Sequence, residues 1–266
     1  MQSRPIGIAG NDGLARAVAD RLAAGNQRVL CYAPGSSIIT VAHKNIETAA
    51  TPADIGFDCE IVFTFVDDSN AFRTLLLGTP DRPGLGAEMN PGTVVVDFGA
   101  RSPRETGALL GVIGMRGVAL VDAAIVGDAA GIANGAATVL TGGYPDAVDN
   151  VEAVLAKLGC VDRTGPLGSA HTAAALMGYM EAAHCVAHAE AFSVGRALGL
   201  SGDTLNRVLD SGNDAATVVT LSKRVELARQ LAVDRGITAD VIDFTRARLG
   251  QCSGALASRE FTAESR

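Results

Sequence analysis

The sequence predicts an α/β fold: an N-terminal, doubly wound and largely parallel sheet, followed by a long inter-domain helix and an all-α C-terminal domain. Apolar, strand-like runs alternate with helical segments over roughly the first 160 residues, which favours parallel strands joined by crossover helices. Several runs are uninterrupted, as in a sheet buried on both faces. No strand signal appears from residue 169 to 198. The predicted domains are therefore residues 1–164 and 165–266.

Each element follows from a local pattern. Six strands are predicted, and their bounds are Ile6 to Ala9, Arg28 to Tyr32, Ile61 to Val66, Thr93 to Asp97, Val118 to Asp122 and Thr138 to Thr141. Helical segments lie between most of them, and Pro145 is typical of a helix start. The stretch from 169 to 198 predicts a helix of about 30 residues and about 45 Å, which is too long for an ordinary crossover. We expect this helix to join the two domains.

Composition and charge limit the classes of partner. The formal net charge is −7 without any run of lysine and arginine, so nucleic acid and membrane surfaces are poor partners and a small-molecule substrate is expected. The five cysteines are scattered without a C-x-x-C pair, which is typical of reduced thiols and does not support zinc. The first strand begins near residue 5, and no charge-free apolar run reaches membrane-spanning length. We therefore expect a cytoplasmic protein without a metal.

The loop after the first strand has the pattern of a nucleotide-binding turn. An apolar strand leads through a glycine turn into an amphipathic helix, an arrangement that points helix N-terminal amides at a pyrophosphate. The predicted cofactor-binding residues here are Gly10, Asn11, Asp12, Gly13 and Leu14. The dinucleotide fingerprint has a glycine where this chain has Asp12. Aspartate is also a favoured N-cap, so a carboxylate that satisfies the same amides is the competing interpretation.

The loop after the second strand bears on the form of the cofactor. Domains that prefer NAD carry an acid there, whereas domains for the phosphorylated cofactor carry basic and small polar residues. This chain has Ala-Pro-Gly followed by Ser36 and Ser37, which are candidate ligands of a 2′-phosphate. The sequence therefore favours NADP over NAD, although serines after Pro-Gly are equally typical of a plain turn.

Several spaced motifs together resemble one enzyme family. In order, they are the first loop, Val-Asp-Asp from Val66, a Pro-Gly-x-x-x-x-Asp element ending at Asp97, and Asp-Ala-Ala-Ile-Val-Gly-Asp from Asp122 to Asp128. The combination resembles the β-hydroxyacid dehydrogenase family, which contains 3-hydroxyisobutyrate dehydrogenase and is related to imine reductases and 6-phosphogluconate dehydrogenase. The resemblance covers roughly residues 5 to 245. It implies a Rossmann-type domain, an NAD or NADP cofactor, and a homodimer formed through the long helix.

The resemblance also implies positions for the site. It places cofactor contacts on Phe65, Val66, Asp67 and Lys223, and substrate contacts on Val126, Gly127, Asp128, Ala174 and Gly178. For Lys223 the alternative is a solvated lysine that begins an amphipathic helix.

The chain departs from the family where its chemistry is expected. The family's catalytic lysine and the asparagine one turn later fall on Ala174 and Gly178, and its substrate-binding serine falls on Val126. Asp128 replaces a neighbouring glycine, and a Ser-Thr pair near the nicotinamide falls on Gly-Ala at 99–100. An anionic substrate would lose donors and meet a negative charge. A hydroxy acid is therefore a poor candidate substrate.

Imine reductases also lack the lysine, and a cationic or neutral imine tolerates Asp128. His171 lies three residues before Ala174 and Glu181 seven after it, so the three share one helix face. Histidine suits proton transfer near neutral pH. His171 and Glu181 are therefore the candidate catalytic residues. The alternatives are that His171 caps or packs the helix start and that Glu181 is solvated or paired.

A second pair of histidines lies farther along the same helix. His184 and His188 are spaced i and i+4, with Cys185 adjacent, but no third ligand follows at a recognisable spacing. Structural histidines are the favoured interpretation, and no metal site is predicted.

Two functional hypotheses follow. The first is an NAD(P)-dependent oxidoreductase that acts on a non-acidic carbonyl or imine in the cleft between the domains. The second is a non-redox or non-catalytic protein on the same scaffold, such as a cofactor-sensing module, because the departures cluster at functional positions rather than in the core.

Overall fold

The computed structural model describes residues 4–10, 13–33, 43–197, 199–209, 215–234, 236 and 242–250. The chain divides into two compact units, Met1–Ala173 and Ala174–Arg266. The predicted boundary lies after residue 164, so residues 165–173 belong to the first unit instead of the second. These residues include the first turn of the long helix, and the backbone N–H groups of Gly168 and His171 donate to Asp122 on the sheet.

The first unit is an α/β sandwich around one large sheet. Its strands are β1 (Ile6–Gly10), β2 (Val29–Tyr32), β3 (Ile46–Thr48), β4 (Ile61–Phe65), β5 (Gly78–Thr79), β6 (Arg82–Pro83), β7 (Val94–Asp97), β8 (Ala119–Val126), β9 (Ala137–Gly143) and β10 (Gly159–Gly165). Its helices are α1 (Gly13–Ala24), α2 (Pro52–Asp58), α3 (Ser69–Leu77), α4 (Leu85–Glu88), α5 (Pro103–Ile113), α6 (Ala129–Asn134) and α7 (Pro145–Leu155).

The sheet has the order β10-β9-β8-β7-β4-β1-β2-β3, and β5 and β6 form a separate two-stranded ribbon. Buried apolar clusters lie on the two faces of the sheet, one packed under α1 and α7 and the other under α2, α3 and α5. Every residue of β1 and β7 is buried, as expected for central strands covered by helices on both faces. The predicted doubly wound, Rossmann-type fold is confirmed.

Strand β9 departs from the predicted parallel direction. It pairs antiparallel with β8, and β10 pairs parallel with β9, so both run against the rest of the sheet. The connection from β8 to β9 contains only the six-residue α6, which is too short for a crossover that returns to a parallel neighbour.

The second unit is helical in its described residues. The helix α8 (Ser169–Ala197) runs from the first unit into it, and α9 (Gly202–Leu209), α10 (Ala215–Asp234) and α11 (242–250) follow. A small apolar cluster joins α8, α10 and α11, and its buried members include Ala182, Val186, Leu221, Val225 and Leu249. None of the helices in the described ranges is both long enough and apolar enough to cross a membrane.

Candidate cofactor-binding site

The sheet contains one position where its strand order changes direction. The chain runs from β1 outward through β2 and β3, and then returns to β4 on the other side of β1. In open α/β sheets, ligands bind outside the carboxyl ends of the two strands at such a switch point. The loops that follow β1 and β4 therefore define the candidate site, and both contain residues that the sequence predicted as cofactor contacts.

The ends of β1 and β4 approach each other closely. Gly10 pairs with Phe65 and has a φ of +156°, and a Cβ at Gly10 would lie 2.6 Å from the carbonyl oxygen of Phe65. Only glycine fits this backbone position. Phe65 in turn stacks on Phe98, with ring centroids 4.7 Å apart.

The helix α1 begins at Gly13, three residues after Gly10. Among the described residues, a Cβ built on Gly13 would meet nothing within 4 Å, so this first residue of the helix is open on that side. Asn11 and Asp12 lie outside the described residues, as do Ser36 and Ser37, and their predicted roles stay predictions.

A buried ion pair lies directly below the loop after β4. The Arg101 Nε donates to the Asp97 Oδ2 at 2.6 Å, and both side chains are fully buried. The guanidinium also donates to the carbonyl oxygen of Val66 and lies 3.8 Å from the ring centroid of Phe72. The sequence-based reasoning named neither Asp97 nor Arg101 as a site residue.

A second buried carboxylate holds the start of α8. Asp122, on β8, accepts from the backbone N–H of Gly168 at 2.6 Å and from that of His171 at 3.0 Å. It therefore caps the helix from a neighbouring strand. A side chain at Gly142 would collide with this carboxylate, which explains why β9 carries a glycine opposite it.

His171 lies inside this polar cluster and is only 2% exposed. Its Nε2 lies 2.9 Å from the main-chain carbonyl oxygen of Asp97 and must donate to it, because a carbonyl oxygen only accepts. Its Nδ1 is buried and has no hydrogen-bond partner among the described residues. These contacts favour the structural alternative for His171, and its role as a proton donor stays a prediction.

The predicted substrate residues of the first unit lie after β8. Val126 is partly buried, and Gly127 has a φ of +129°. The carboxylate of Asp128 accepts from the backbone N–H of Gly131 at 2.8 Å and caps α6. The negative charge of Asp128 is therefore already partly satisfied.

The predicted residues of the second unit lie on α8 and α10. Ala174 is partly buried, and Gly178 is covered by the side chain of Arg224, whose Cβ and Cδ a Cβ at Gly178 would overlap. The Arg224 guanidinium lies 3.4 Å from the carboxylate of the exposed Glu181, as one of the sequence-based alternatives holds. Lys223, next to Arg224, is exposed.

Metal ligation is not indicated within the described ranges. His184 is exposed, whereas Cys185 is buried. No group of three or more His, Cys, Asp or Glu side chains in those ranges is arranged to hold a metal ion.

A pocket of about 550 Å³ lies elsewhere in the first unit. It is lined by residues at the ends of β9 and β10 and at the start of α7, including Tyr144, Arg163 and Leu167. The carboxyl end of β9 lies level with that of β7, because Gly142 pairs with Asp122 and Asp122 pairs with Asp97. The lining of this pocket contains no residue of the loops after β1 and β4, so it is distinct from the switch point.

The family model for the NAD-binding domain of 6-phosphogluconate dehydrogenase matches residues 6–165. The chain belongs to this family. The matched residues span the large sheet that carries the switch point. The predicted Rossmann-type domain for a nicotinamide cofactor is confirmed.

Two relatives of this chain are named as dehydrogenases. L-threonate dehydrogenase of Cupriavidus necator is 30% identical over 212 residues, which is 78% of this chain and 70% of that protein. NAD-dependent L-serine dehydrogenase of Pseudomonas aeruginosa is 28% identical over 175 residues, which is 65% of this chain and 58% of that protein. The chain is thus a member of an oxidoreductase family.

Solved structures with the same fold include both groups named in the sequence-based resemblance. Mycobacterium tuberculosis 3-hydroxyisobutyrate dehydrogenase superposes with a TM-score of 0.78 at 17% identity, covering 96% of each chain. An imine reductase from Myxococcus stipitatus superposes with a TM-score of 0.68 at 15% identity, covering 96% of this chain and 95% of that one. The chain therefore shares its fold with both groups.

Proposed function

We propose that the chain is an NAD(P)-dependent oxidoreductase that acts on a non-acidic carbonyl or imine. The observation that carries the proposal is the first turn of α1. Gly13 is exposed and begins a 12-residue helix at the switch point, and a helix N-terminus in this position favours a phosphate. The residues present therefore fit a dinucleotide.

The cofactor would be held from two sides. Gly10, Asn11, Asp12, Gly13 and Leu14 would contact its pyrophosphate, and the main chain of Phe65, Val66 and Asp67 would border it on the β4 side. When bound, a nicotinamide cofactor supplies or accepts the hydride. The protein contributes binding and orientation: Gly10 lets β1 close against β4, and the stacked ring of Phe98 fixes Phe65.

The substrate class follows from what the predicted substrate positions lack. Val126, Ala174 and Gly178 carry no side chain that donates a hydrogen bond. Arg224 covers Gly178, but its charge is opposed by Glu181. A substrate carboxylate would find no uncompensated cation among these residues, whereas a neutral carbonyl or an iminium requires none.

We further propose NADP rather than NAD. No acidic residue occurs between Tyr32 and Lys44, where an acid for the ribose hydroxyls is expected, and Ser36 and Ser37 suit a 2′-phosphate.

The first experiment tests cofactor binding with a paired substitution. NADPH and NADH are titrated by calorimetry into the wild-type chain and into Gly13→Ala, whose methyl group would enter the open space at the helix start. Gly107→Ala is the control, because Gly107 is exposed in the middle of α5 and a Cβ there also meets nothing within 4 Å. Alanine has a higher helix propensity than glycine by up to about 1 kcal/mol. Neither variant should therefore have a lower melting temperature than the wild type.

Only Gly13→Ala should weaken binding of the cofactor. The proposal is wrong if neither NADPH nor NADH binds the wild-type chain saturably at millimolar concentration. Equal affinity in the wild type and Gly13→Ala would show that the phosphates bind elsewhere.

The second experiment tests the chemistry. We expect NADPH oxidation with cyclic imines or aldehydes and none with the ketone forms of hydroxy acids. Binding of NADPH without turnover of any member of the panel would support the cofactor-sensing alternative. Wild-type turnover in His171→Ala would assign the proton transfer to another group.

The homodimer remains a prediction. Leu176, Met177 and Met180 are exposed on α8, which is consistent with a helix that packs against a second subunit. Light scattering should give twice the chain mass of 27.1 kDa, and a monomer at micromolar concentration would contradict the prediction.

A further inference from the structure

We infer that Arg101 is a positioning residue that fixes the loop after β4 for the cofactor, and this inference rests on the proposed function. The loop comprises Val66 and Asp67 and forms one side of the switch point. Arg101 follows the neighbouring strand β7, and its guanidinium reaches under the loop to its main-chain carbonyl oxygens. It does not itself face the cofactor.

One edge of the guanidinium is fixed by Asp97. The Arg101 Nε donates to Oδ2 at 2.6 Å, and Nη2 lies 3.0 Å from Oδ1. Oδ1 also accepts from the hydroxyl of Thr64 at 3.1 Å and from the backbone N–H of Gly99 at 3.0 Å. Because four donors converge on one carboxylate, the ion pair has a single orientation.

The other edge of the guanidinium holds the loop. Nη2 donates to the carbonyl oxygen of Val66, and Nη1 lies 3.5 Å from that of Asp67. The ring of Phe72 supports the plane from one side, with Arg101 Cζ 3.8 Å from its centroid. A planar group with donors on both edges is required for this bridge, and lysine does not provide one.

Gly99 provides the space for this arrangement. A Cβ at Gly99 would overlap Nη2 of Arg101 and the carbonyl oxygen of Val66. The glycine that replaces an expected serine therefore accommodates Arg101, and the two residues form a matched pair.

Stability alone is a poor explanation of the pair. A buried ion pair costs so much desolvation that apolar residues of similar volume are often at least as stabilising. What an apolar residue could not do is hold the carbonyl oxygens of Val66 and Asp67 in one orientation beside β1. A site held to fractions of an ångström needs such support.

The test compares two arginines that both donate to main-chain carbonyl oxygens. Arg101→Lys keeps the charge but loses the two-edged bridge. Arg21→Lys is the matched control, because Arg21 donates to the carbonyl oxygens of Lys157 and Ala133 from the last turn of α1, at the opposite end of that helix from Gly13. NADPH affinity is measured by calorimetry below the melting temperature of each variant, together with amide hydrogen exchange in the loop.

We expect Arg101→Lys to weaken NADPH binding by about tenfold or more, since small misplacements at such sites are costly, and to speed exchange at residues 66–69. Arg21→Lys should lower the melting temperature without either effect. Should Arg101→Lys fail to fold, Gly99→Ala perturbs the same contact with both charges retained and should give the same two effects.

Each result has a distinct meaning. If the wild-type chain binds NADPH and Arg101→Lys binds it equally tightly, the inference is overturned and the proposed function stands. If exchange in the loop does not change in Arg101→Lys or Gly99→Ala, Arg101 does not hold the loop, whatever the cofactor does. If the wild-type chain binds neither NADPH nor NADH, the proposed function fails and the inference fails with it.

Discussion

Asp122 provides the sharpest test of how the first turn of α8 is held. This fully buried carboxylate accepts from the backbone N–H groups of Gly168 and His171, one on each oxygen. Asp122→Asn keeps the volume of the side chain but replaces one oxygen with an NH2 group. One of the two backbone N–H groups then faces a donor and has no acceptor.

The expected loss follows from these contacts. A hydrogen bond to a charged group contributes about 1.5–3 kcal/mol, and leaving a buried donor unsatisfied costs about 1–3 kcal/mol, with overlap between the two. A negative charge at a partly buried helix N-terminus contributes up to about 2 kcal/mol more. We expect a net destabilisation of about 2–4 kcal/mol, which for a chain of this size is a fall in melting temperature of roughly 4–16 °C.

The measurement is thermal unfolding by far-UV circular dichroism, with Asp68→Asn as the control. Asp68 also caps a helix, but it is exposed, and within the described ranges its carboxylate accepts from the backbone N–H of Ala71 alone, at 2.7 Å. Asparagine is an equally good cap at such a site, so the control should change by only a few tenths of a kcal/mol. Equal melting temperatures for the two variants would refute the argument that Asp122 holds α8.

Three further predictions follow from local geometry and from shifted pKa values. Gly10→Ala should destabilise the fold by about 1–3 kcal/mol, because its Cβ would lie 2.6 Å from a carbonyl oxygen, and an unchanged denaturation midpoint would contradict this. Burial raises the pKa of the Cys31 and Cys59 thiols to about 12, with nearby carboxylates adding to the shift. Unfolded thiols ionise near pH 8.5, so the free energy of unfolding should fall as pH rises from about 8.5 towards 12. The fall should be less steep when both Cys31 and Cys59 are replaced by alanine. Of the described cysteines, the exposed Cys160 should react first with a maleimide. Burial alone would raise the pKa of the Glu105 carboxyl, but hydrogen bonds from two serines and the charge of the nearby Arg101 lower this pKa overall. The ionised Glu105 should therefore stabilise the fold above about pH 4.3, and this stabilisation should be lost as pH falls through the pKa of the folded state. Melting curves of Glu105→Gln that keep the acid sensitivity of the wild type would contradict that assignment.

Hydrophobic pattern was sufficient to predict most of the fold. The central strands are uninterrupted apolar runs, and α8 was predicted within one residue of its observed end at Ala197. Strands β3 and β10 were missed for physical reasons. Strand β3 has only three residues, and the edge strand β10 is largely exposed and contains charged residues. Strand β9 is antiparallel to β8 because the connection through α6 is too short for a crossover. An apolar sequence pattern identifies a strand but not its direction.

The candidate site was only partly predictable. Motif spacing identified the loops after β1 and β4, because strand ends mark the switch point in any doubly wound sheet. The buried polar cluster was missed because its partners are far apart in sequence: Asp122 bonds to the start of α8, and Arg101 bonds to the loop after β4. A signal was present, since Asp97 and Asp122 each lie within or at the end of a buried apolar strand, where a carboxylate needs a partner.

The contact between Gly99 and Arg101 also constrains the order in which this sequence could have arisen. A guanidinium in its present pose would collide with any side chain at position 99, serine included. A chain with serine at position 99 could admit an arginine in this pose only if glycine first replaced that serine. Replacing Gly99 with serine alone should therefore be more harmful than replacing Gly99 and Arg101 together.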